Sequence, residues 1–241
     1  EIGSGLVGSE MCIRDSICAV STAPGAGGIA VIRISGPEAI AICNTIFVPR
    51  TAGKGLLSQK AYTLRYGSIR RGEELIDEVL IALFRAPHSF TGEDTVEITC
   101  HGSVYIQQQI MQLLIERGCR SALPGEYTQR AFMNGKMDLS QAEAVADLIA
   151  STSAGQHRLA LNQMRGGFSH ELKNLREQLL HITSLMELEL DFSDHEELEF
   201  ADRSELSTLA AHIETVISRL ANSFSVGNAI KNGIPVAIIG E

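Results

Sequence analysis

The sequence predicts an α+β domain, a mixed sheet with helices, followed by an all-α helical bundle. Three observations carry that prediction. Up to about residue 124, short β-branched runs alternate with short amphipathic helices. Beyond residue 140, apolar residues recur three or four apart almost to the end, the spacing of a bundle seam. Between the two lies the stretch 124–148, PGEYTQRAFMNGKMDLSQAEAVADL, which is rich in turn and cap chemistry.

Residues 1–16 stand apart. Their EMCIRDS core, flanked by Gly-Ser filler, reads as translated adaptor sequence from DNA library preparation, so this stretch is expected to lie outside the fold. On that reading neither Met11 nor Cys12 has a biological role.

The first strand is expected at 17–20 and a tight Gly/Pro loop at 21–28, STAPGAGG. The run 29–34, IAVIRI, is β-rich with Arg33 as its one charge, a pattern normally buried on both faces. Ser35-Gly36-Pro37 opens a helix to about Ile46, with Pro at a first-turn position. After a loop at 51–60, two strands at 61–69 and 75–84 flank the hairpin turn RRGEE. A loop at 85–92 leads to a strand at 95–100 that contains Glu97. A helix over 103–117 carries Ile106, Ile110, Leu113 and Leu114 on one face, and a last short strand falls at 119–123.

Within the joint, 126–132 forms about two helical turns. Asn134-Gly135 stops them, since both residue types tolerate the left-handed conformation of a C-terminal cap. The segment 138–140 restarts the helix, and Ser140 and Glu143 have capping-box spacing. Helices follow at 140–152, then along a seam of Leu161, Met164, Phe168, Leu172, Leu175, Leu179, Ile182, Met186 and Leu190 that Gly166-Gly167 kinks, then from Asp202 to about Phe224. The expected domains are 17–124 (α+β), 125–233 (helical, incomplete) and 234–241, the opening strand of a further domain cut short at residue 241.

With 44% hydrophobic and 20% charged residues the composition is globular, which excludes a disordered chain. No apolar run is long enough to span a membrane. The five cysteines show no C-x-x-C pair and no metal-ligand spacing, which fits reduced thiols in a cytoplasmic protein. The formal charge is −9, and the stretch 187–205, with nine acids against Arg203 alone, holds −8 of it. That stretch lacks EF-hand spacing and reads as a solvated face. No basic stripe announces a nucleic-acid surface.

Four places could carry chemistry. STAPGAGG has neither phosphate-loop spacing nor a lysine, so it reads as a tight turn over another group. Arg33 needs a carboxylate partner, and Glu97 is the natural one. The pair reads either as a structural ion pair or as the polar floor of a site for a heterocycle with an amide-like edge. His101 reads as a helix-start or packing histidine. Lys136, on the short loop between two helices, reads on pattern alone as a solvated residue. The run 234–240, IPVAIIG, has the form of a strand entering a Walker A loop, although no G-K-[ST] follows within the sequence.

Four stretches, in order, resemble one family. They are TAPGAGGIAVIRISGP, SFTGEDTVEITCHG, PGEYTQRAFMNGKMDLSQAEAVADLI and IPVAIIGE. They are similar to the N-terminal part of the tRNA modification GTPases called MnmE or TrmE. The resemblance implies a tetrahydrofolate-binding domain, similar to the aminomethyltransferases of glycine cleavage, through which the protein forms a homodimer. It places the formyl-tetrahydrofolate contacts on Arg33, Glu97 and Lys136, with 5-formyltetrahydrofolate or 5,10-methylenetetrahydrofolate as the cofactor. It implies a helical domain interrupted by a G domain that hydrolyses GTP with Mg2+ and K+, and whose phosphate loop begins at Gly240. It also implies a partner, the FAD-dependent MnmG (GidA), in a heterotetramer that adds an aminomethyl or carboxymethylaminomethyl group to the wobble uridine of tRNA. Gly240 stands without the rest of the phosphate loop, the switch regions or the base-recognition motif, so no catalytic residue is assigned and the fragment itself is not expected to hydrolyse GTP; the family's C-terminal Cys-x-Gly-Lys motif is also absent, and none of the five cysteines takes its role. The alternative is a stand-alone folate-binding module resembling an aminomethyltransferase.

Overall fold

The structure, a computed structural model, describes residues 15–51, 55–191 and 203–233 together with Ala237 and Ile239. The leader through residue 14, the strand expected at 234–239, Gly240, and residues 192–202 of the acidic run therefore lie largely or wholly outside the described residues. The chain divides into two compact units, Glu1–Met137 and Asp138–Glu241.

The first unit is built, among the described residues, on seven strands: β1 Ile17–Val20, β2 Ile29–Ser35, β3 Phe47–Pro49, β4 Thr63–Arg71, β5 Glu74–Phe84, β6 Thr95–His101 and β7 Arg120–Ser121. They form one sheet in the order β3-β4-β5-β6-β2-β1-β7. All neighbours are antiparallel except β1 and β7, so the sheet is mixed. Among the described residues three α-helices, α1 Ala39–Ile46, α2 Val104–Glu116 and α3 Glu126–Met133, and a 3-10 turn at Leu56–Ser58 complete the unit.

Side chains alternate across each strand, and this decides where the core lies. Ala30, Ile32 and Ile34 of β2 join Val79, Ile81 and Leu83 of β5, and Val96, Ile98 and Cys100 of β6. Ile40, Cys43 and Ile46 of α1, and Ile110, Leu113 and Leu114 of α2, belong to the same buried cluster. Each of these large aliphatic side chains contributes about 1.5–3 kcal/mol by leaving water. The expectation that 29–34 is buried on both faces does not hold. Val31 and Arg33 occupy the opposite, half-buried face, and Ile29 is 66% exposed. A mixed sheet with both its core helices in one cluster leaves that second face open to other uses.

The glycine loop 21–28 closes on the turn after β6. The Gly27 N–H donates to the Gly102 carbonyl at 3.0 Å, and the Gly102 N–H to the Gly28 carbonyl at 3.4 Å. A Cβ at Gly102 would collide with the Gly27 carbonyl, so the approach of two backbones requires glycine here. This is the tight turn expected of STAPGAGG, with another stretch of backbone as the covered group. Helix α3 ends at Gly135, whose φ of +67° is the left-handed cap, whereas Asn134 stays at φ −84°. The first unit runs on to Met137, beyond the division expected at residue 124, because α3 carries Arg130 into an ion cluster with Glu93.

The second unit contains, among the described residues, α4 Leu139–Ala150, α5 Ala154–Met164, α6 Gly167–Asp191 and α7 Arg203–Asn232. Its buried centre is Leu175 with Ile213 and Val216, supported by Ile182, Leu209 and Leu220. Gly166, at φ +82°, ends α5 outright rather than kinking one long helix. The cap of α4 also differs from expectation. Asp138, not Ser140, is the N-cap, and the box partner is Gln141, not Glu143. The Gln141 N–H donates to Asp138 Oδ1 at 2.9 Å, and the Asp138 N–H donates back to Gln141 Oε1 at 2.9 Å. The Ser169 hydroxyl and the Gln141 N–H together hold the Asp138 carboxyl below its usual range. Asp138→Ala is expected to lower stability by about 1 kcal/mol, while Ser140→Ala changes it by less than half of that; urea unfolding of both variants checks the order.

Candidate functional site

The open face of the sheet brings Arg33 and Glu97 together. They are direct cross-strand partners in the β2–β6 register. Arg33 Nε donates to Glu97 Oε1 at 2.8 Å, and Nη2 lies 2.7 Å from the same oxygen. The side chains remain 28% and 25% exposed, so this is a half-buried pair with part of its polar edge still accessible. One carboxylate oxygen receives two donors, which leaves Glu97 Oε2 and Arg33 Nη1 without a hydrogen bond among the described residues. An N–H donor and a carboxylate acceptor left open on one pair are the chemistry that binds an amide-like edge of a planar heterocycle.

Two aromatic rings flank the guanidinium. Phe90 and Tyr127 each lie with the ring centroid 5.7 Å from Arg33 Cζ, within the range of a cation–π contact. Burial pushes the Tyr127 hydroxyl above its ordinary pKa, so it stays protonated and donates to the Arg33 carbonyl at 2.7 Å. Neither ring was legible as a site residue in the sequence, although both lie inside the SFTGED and PGEYT stretches that singled themselves out.

Lys136 is exposed and makes no direct contact with Arg33 or Glu97 among the described residues. Its Nζ donates to the Pro87 carbonyl at 3.0 Å. Its aliphatic stem lies against Gly92, and a Cβ at Gly92 would come within 3.2 Å of Lys136 Cγ. The loop 85–94 thus connects the three residues: Lys136 and Asn134 hold it from one side, and its Phe90 covers Arg33. Asn134 Nδ2 donates to the Thr91 carbonyl at 2.7 Å.

Beneath this arrangement lies a buried ion cluster that sequence reasoning missed. Arg130 is 2% exposed. Its Nη1 is 3.2 Å from both Glu93 oxygens, and its Nη2 is 3.2 Å from Glu126 Oε1. Glu93 also accepts from the Ser35 hydroxyl at 2.8 Å, which ties in β2. Glu126 accepts from Arg120 and from the Leu123 N–H at 2.8 Å. Burial alone would raise the Glu126 pKa, but these donors outweigh it and hold the carboxyl below its ordinary value. Glu126 and Arg130 have the i,i+4 spacing of a helical ion pair, but Glu93 lies 37 positions from Arg130, so only the fold reveals the cluster as a whole.

His101 is the last residue of β6 and its side chain is 69% exposed, so it neither starts a helix nor packs in the core as expected. Buried Asp77 accepts from the His101 backbone N–H at 2.8 Å and from its ring Nδ1 at 2.7 Å, anchoring the strand end before Gly102. In the helical unit a cleft is lined by Asp147, Gln156, Gln163 and Lys231, but Lys231 and Asp147 pair with each other at 2.7 Å. Among the described residues no group of three or more His, Cys, Asp or Glu is placed to hold a metal ion. No helix among them is long and apolar enough to cross a membrane.

The seven-stranded sheet with its aromatic-covered Arg–Glu pair, and the helices that follow, fall within two family models. Residues 16–136 match the N-terminus of the GTP-binding protein TrmE, and residues 139–235 match the MnmE helical domain. The chain therefore belongs to the TrmE (MnmE) family. Among its relatives is the tRNA modification GTPase MnmE of Parabacteroides distasonis, 81% identical over 227 residues, which cover 94% of this chain and 49% of that protein. The protein of the same name from Bacteroides fragilis is 71% identical over 228 residues, covering 95% and 49%. That from Flavobacterium johnsoniae is 58% identical over 231 residues, covering 96% and 49%. The chain spans about half the length of the curated relatives it matches.

Proposed function

We propose that this chain is the folate-binding and helical part of a tRNA modification GTPase, and that Arg33, Glu97 and Lys136 bind a tetrahydrofolate. The observation that carries the reading is the cross-strand Arg33–Glu97 pair, half-exposed on the non-core face. Such a pair keeps a donor on Arg33 and an acceptor on Glu97 open to the amino-oxo edge of a reduced pterin. Lys136 supplies a mobile positive charge for the anionic part of the ligand and exchanges its Pro87 carbonyl contact for that role. The bound species in this reading is 5-formyltetrahydrofolate or 5,10-methylenetetrahydrofolate, the donor of the one-carbon unit.

In the whole protein the same reading gives a cytoplasmic homodimer joined through the sheet unit. It hydrolyses GTP with Mg2+ and K+ and works with the FAD-dependent MnmG on the wobble uridine of tRNA. Gly240 would open the phosphate-binding loop of the G domain. The names of the relatives, tRNA modification GTPase MnmE, support this assignment.

Calorimetric titration of the chain with 5-formyltetrahydrofolate tests the site. Saturable binding is expected, and Lys136→Ala should weaken it by about two- to fivefold, the worth of one exposed charge contact. A folded chain that takes up no folate refutes the assignment.

A further inference from the structure

We infer that Phe90 and Tyr127 are positioning residues that fix the Arg33 guanidinium and leave one of its N–H edges facing the ligand. The inference rests on the reading of the Arg33–Glu97 pair as a binding site. A free arginine on an exposed sheet face samples many rotamers, and holding one of them costs entropy when a ligand binds. Here the cost is met before binding. Glu97 Oε1 takes Nε and Nη2, two rings lie at 5.7 Å from Cζ, and the Tyr127 hydroxyl grips the Arg33 backbone carbonyl.

The two rings come from different elements, the 85–94 loop and α3, and something must hold both carriers against β2. The buried ion cluster does so. Glu93 lies three residues after Phe90, and Arg130 lies three residues after Tyr127. Those two charged groups meet at 3.2 Å, and Ser35, on the same strand as Arg33, donates to Glu93 at 2.8 Å. The loop, the helix and the strand that build the clamp therefore converge on one buried carboxylate. Phe90 remains 39% exposed, so it serves no large share of the core. An exposed ring held over a cation is better explained by what it does to the cation.

Two measurements test the clamp. The first is titration with 5-formyltetrahydrofolate. Phe90→Leu and Tyr127→Leu keep apolar bulk but remove the ring faces, and each should weaken binding by about three- to tenfold. Phe90→Leu should leave the melting temperature near that of the wild type. Tyr127→Phe keeps the ring and should bind within about twofold of wild type. Wild-type affinity in both leucine variants overturns the proposal. The second is the NMR signal of the Arg33 Nε–H, which the rings should shift upfield and shield from solvent exchange. Loss of that shift in either leucine variant supports the clamp, and an unmoved signal in both overturns it. A wild-type chain that binds no folate refutes the ligand reading alone, and the clamp is then decided by the NMR signal.

Discussion

Replacing Arg130 with alanine is expected to lower the unfolding free energy of the sheet unit by about 3–5 kcal/mol, the usual result of removing one partner from a buried ionic cluster. The effect is large because of what stays behind. Glu93 and Glu126 both face the Arg130 guanidinium, and both are largely buried, at 14% and 7% side-chain exposure. Without Arg130 they become close like charges with reduced solvation, although Arg120 still serves Glu126. Arg130→Met, which restores volume without charge, should recover little unless Glu93 is changed to Gln in the same chain. The double variant Arg130→Met/Glu93→Gln should be more stable than either single change, and urea unfolding measures the difference. The pH dependence follows from Glu126. Its carboxyl titrates below the ordinary 4.5 because the Arg120 contact, the Leu123 N–H and Arg130 outweigh its burial. A depressed folded-state pKa contributes stability that is complete above the unfolded pKa and is lost as the pH falls through the folded value. The wild-type sheet unit should therefore lose this contribution only below about pH 4.5, and Glu126→Gln should flatten the stability curve in that acidic window.

Arg33→Lys is expected to weaken folate binding by about tenfold or more, although the charge is kept. The planar guanidinium gives two donors to Glu97 and has others to offer a ligand, and it lies over two aromatic rings. An ammonium is a point charge with a strong hydration shell. It satisfies Glu97 and then has no fixed second edge for a heterocycle, and its contact with Phe90 and Tyr127 is poorer. Stability should change little, because the pair is more than a quarter exposed on the arginine side and does not belong to the core. Loss of affinity with an unchanged melting temperature separates a ligand role from the purely structural ion pair that the sequence also allowed.

Much of this architecture is legible in the sequence because it is written locally. The runs at 17–20, 29–34 and 95–100 and the hairpin around RRGEE all became strands, and the helix expected over 103–117 appears as Val104–Glu116. The Arg33–Glu97 pairing was also legible, since a lone charge in a β-rich run needs a partner and Glu97 was the natural one. Strand β3 was not, because three residues, FVP, directly after a helix give no period to read. The α4 cap is ambiguous in the sequence because two acceptor–partner spacings overlap there. Asp138 wins over Ser140 because its backbone is extended, at ψ 175°, while Ser140 is already inside the helix. A break at Gly166 is legible but its depth is not, since a pair of glycines does not say whether a helix bends or stops. The Glu93–Arg130 contact and the ring contacts over Arg33 are not legible because they join residues 37 to 94 positions apart. Local chemistry announces elements, whereas the clamp is a product of tertiary register.

The most direct measurement of the central claim is calorimetric titration of this chain with 5-formyltetrahydrofolate, run in parallel on the wild type and Arg33→Lys. The account predicts saturable binding to the wild type and at least about a tenfold loss in the variant at unchanged folding. Equal affinity in the two chains, or no uptake by a folded wild type, would contradict it.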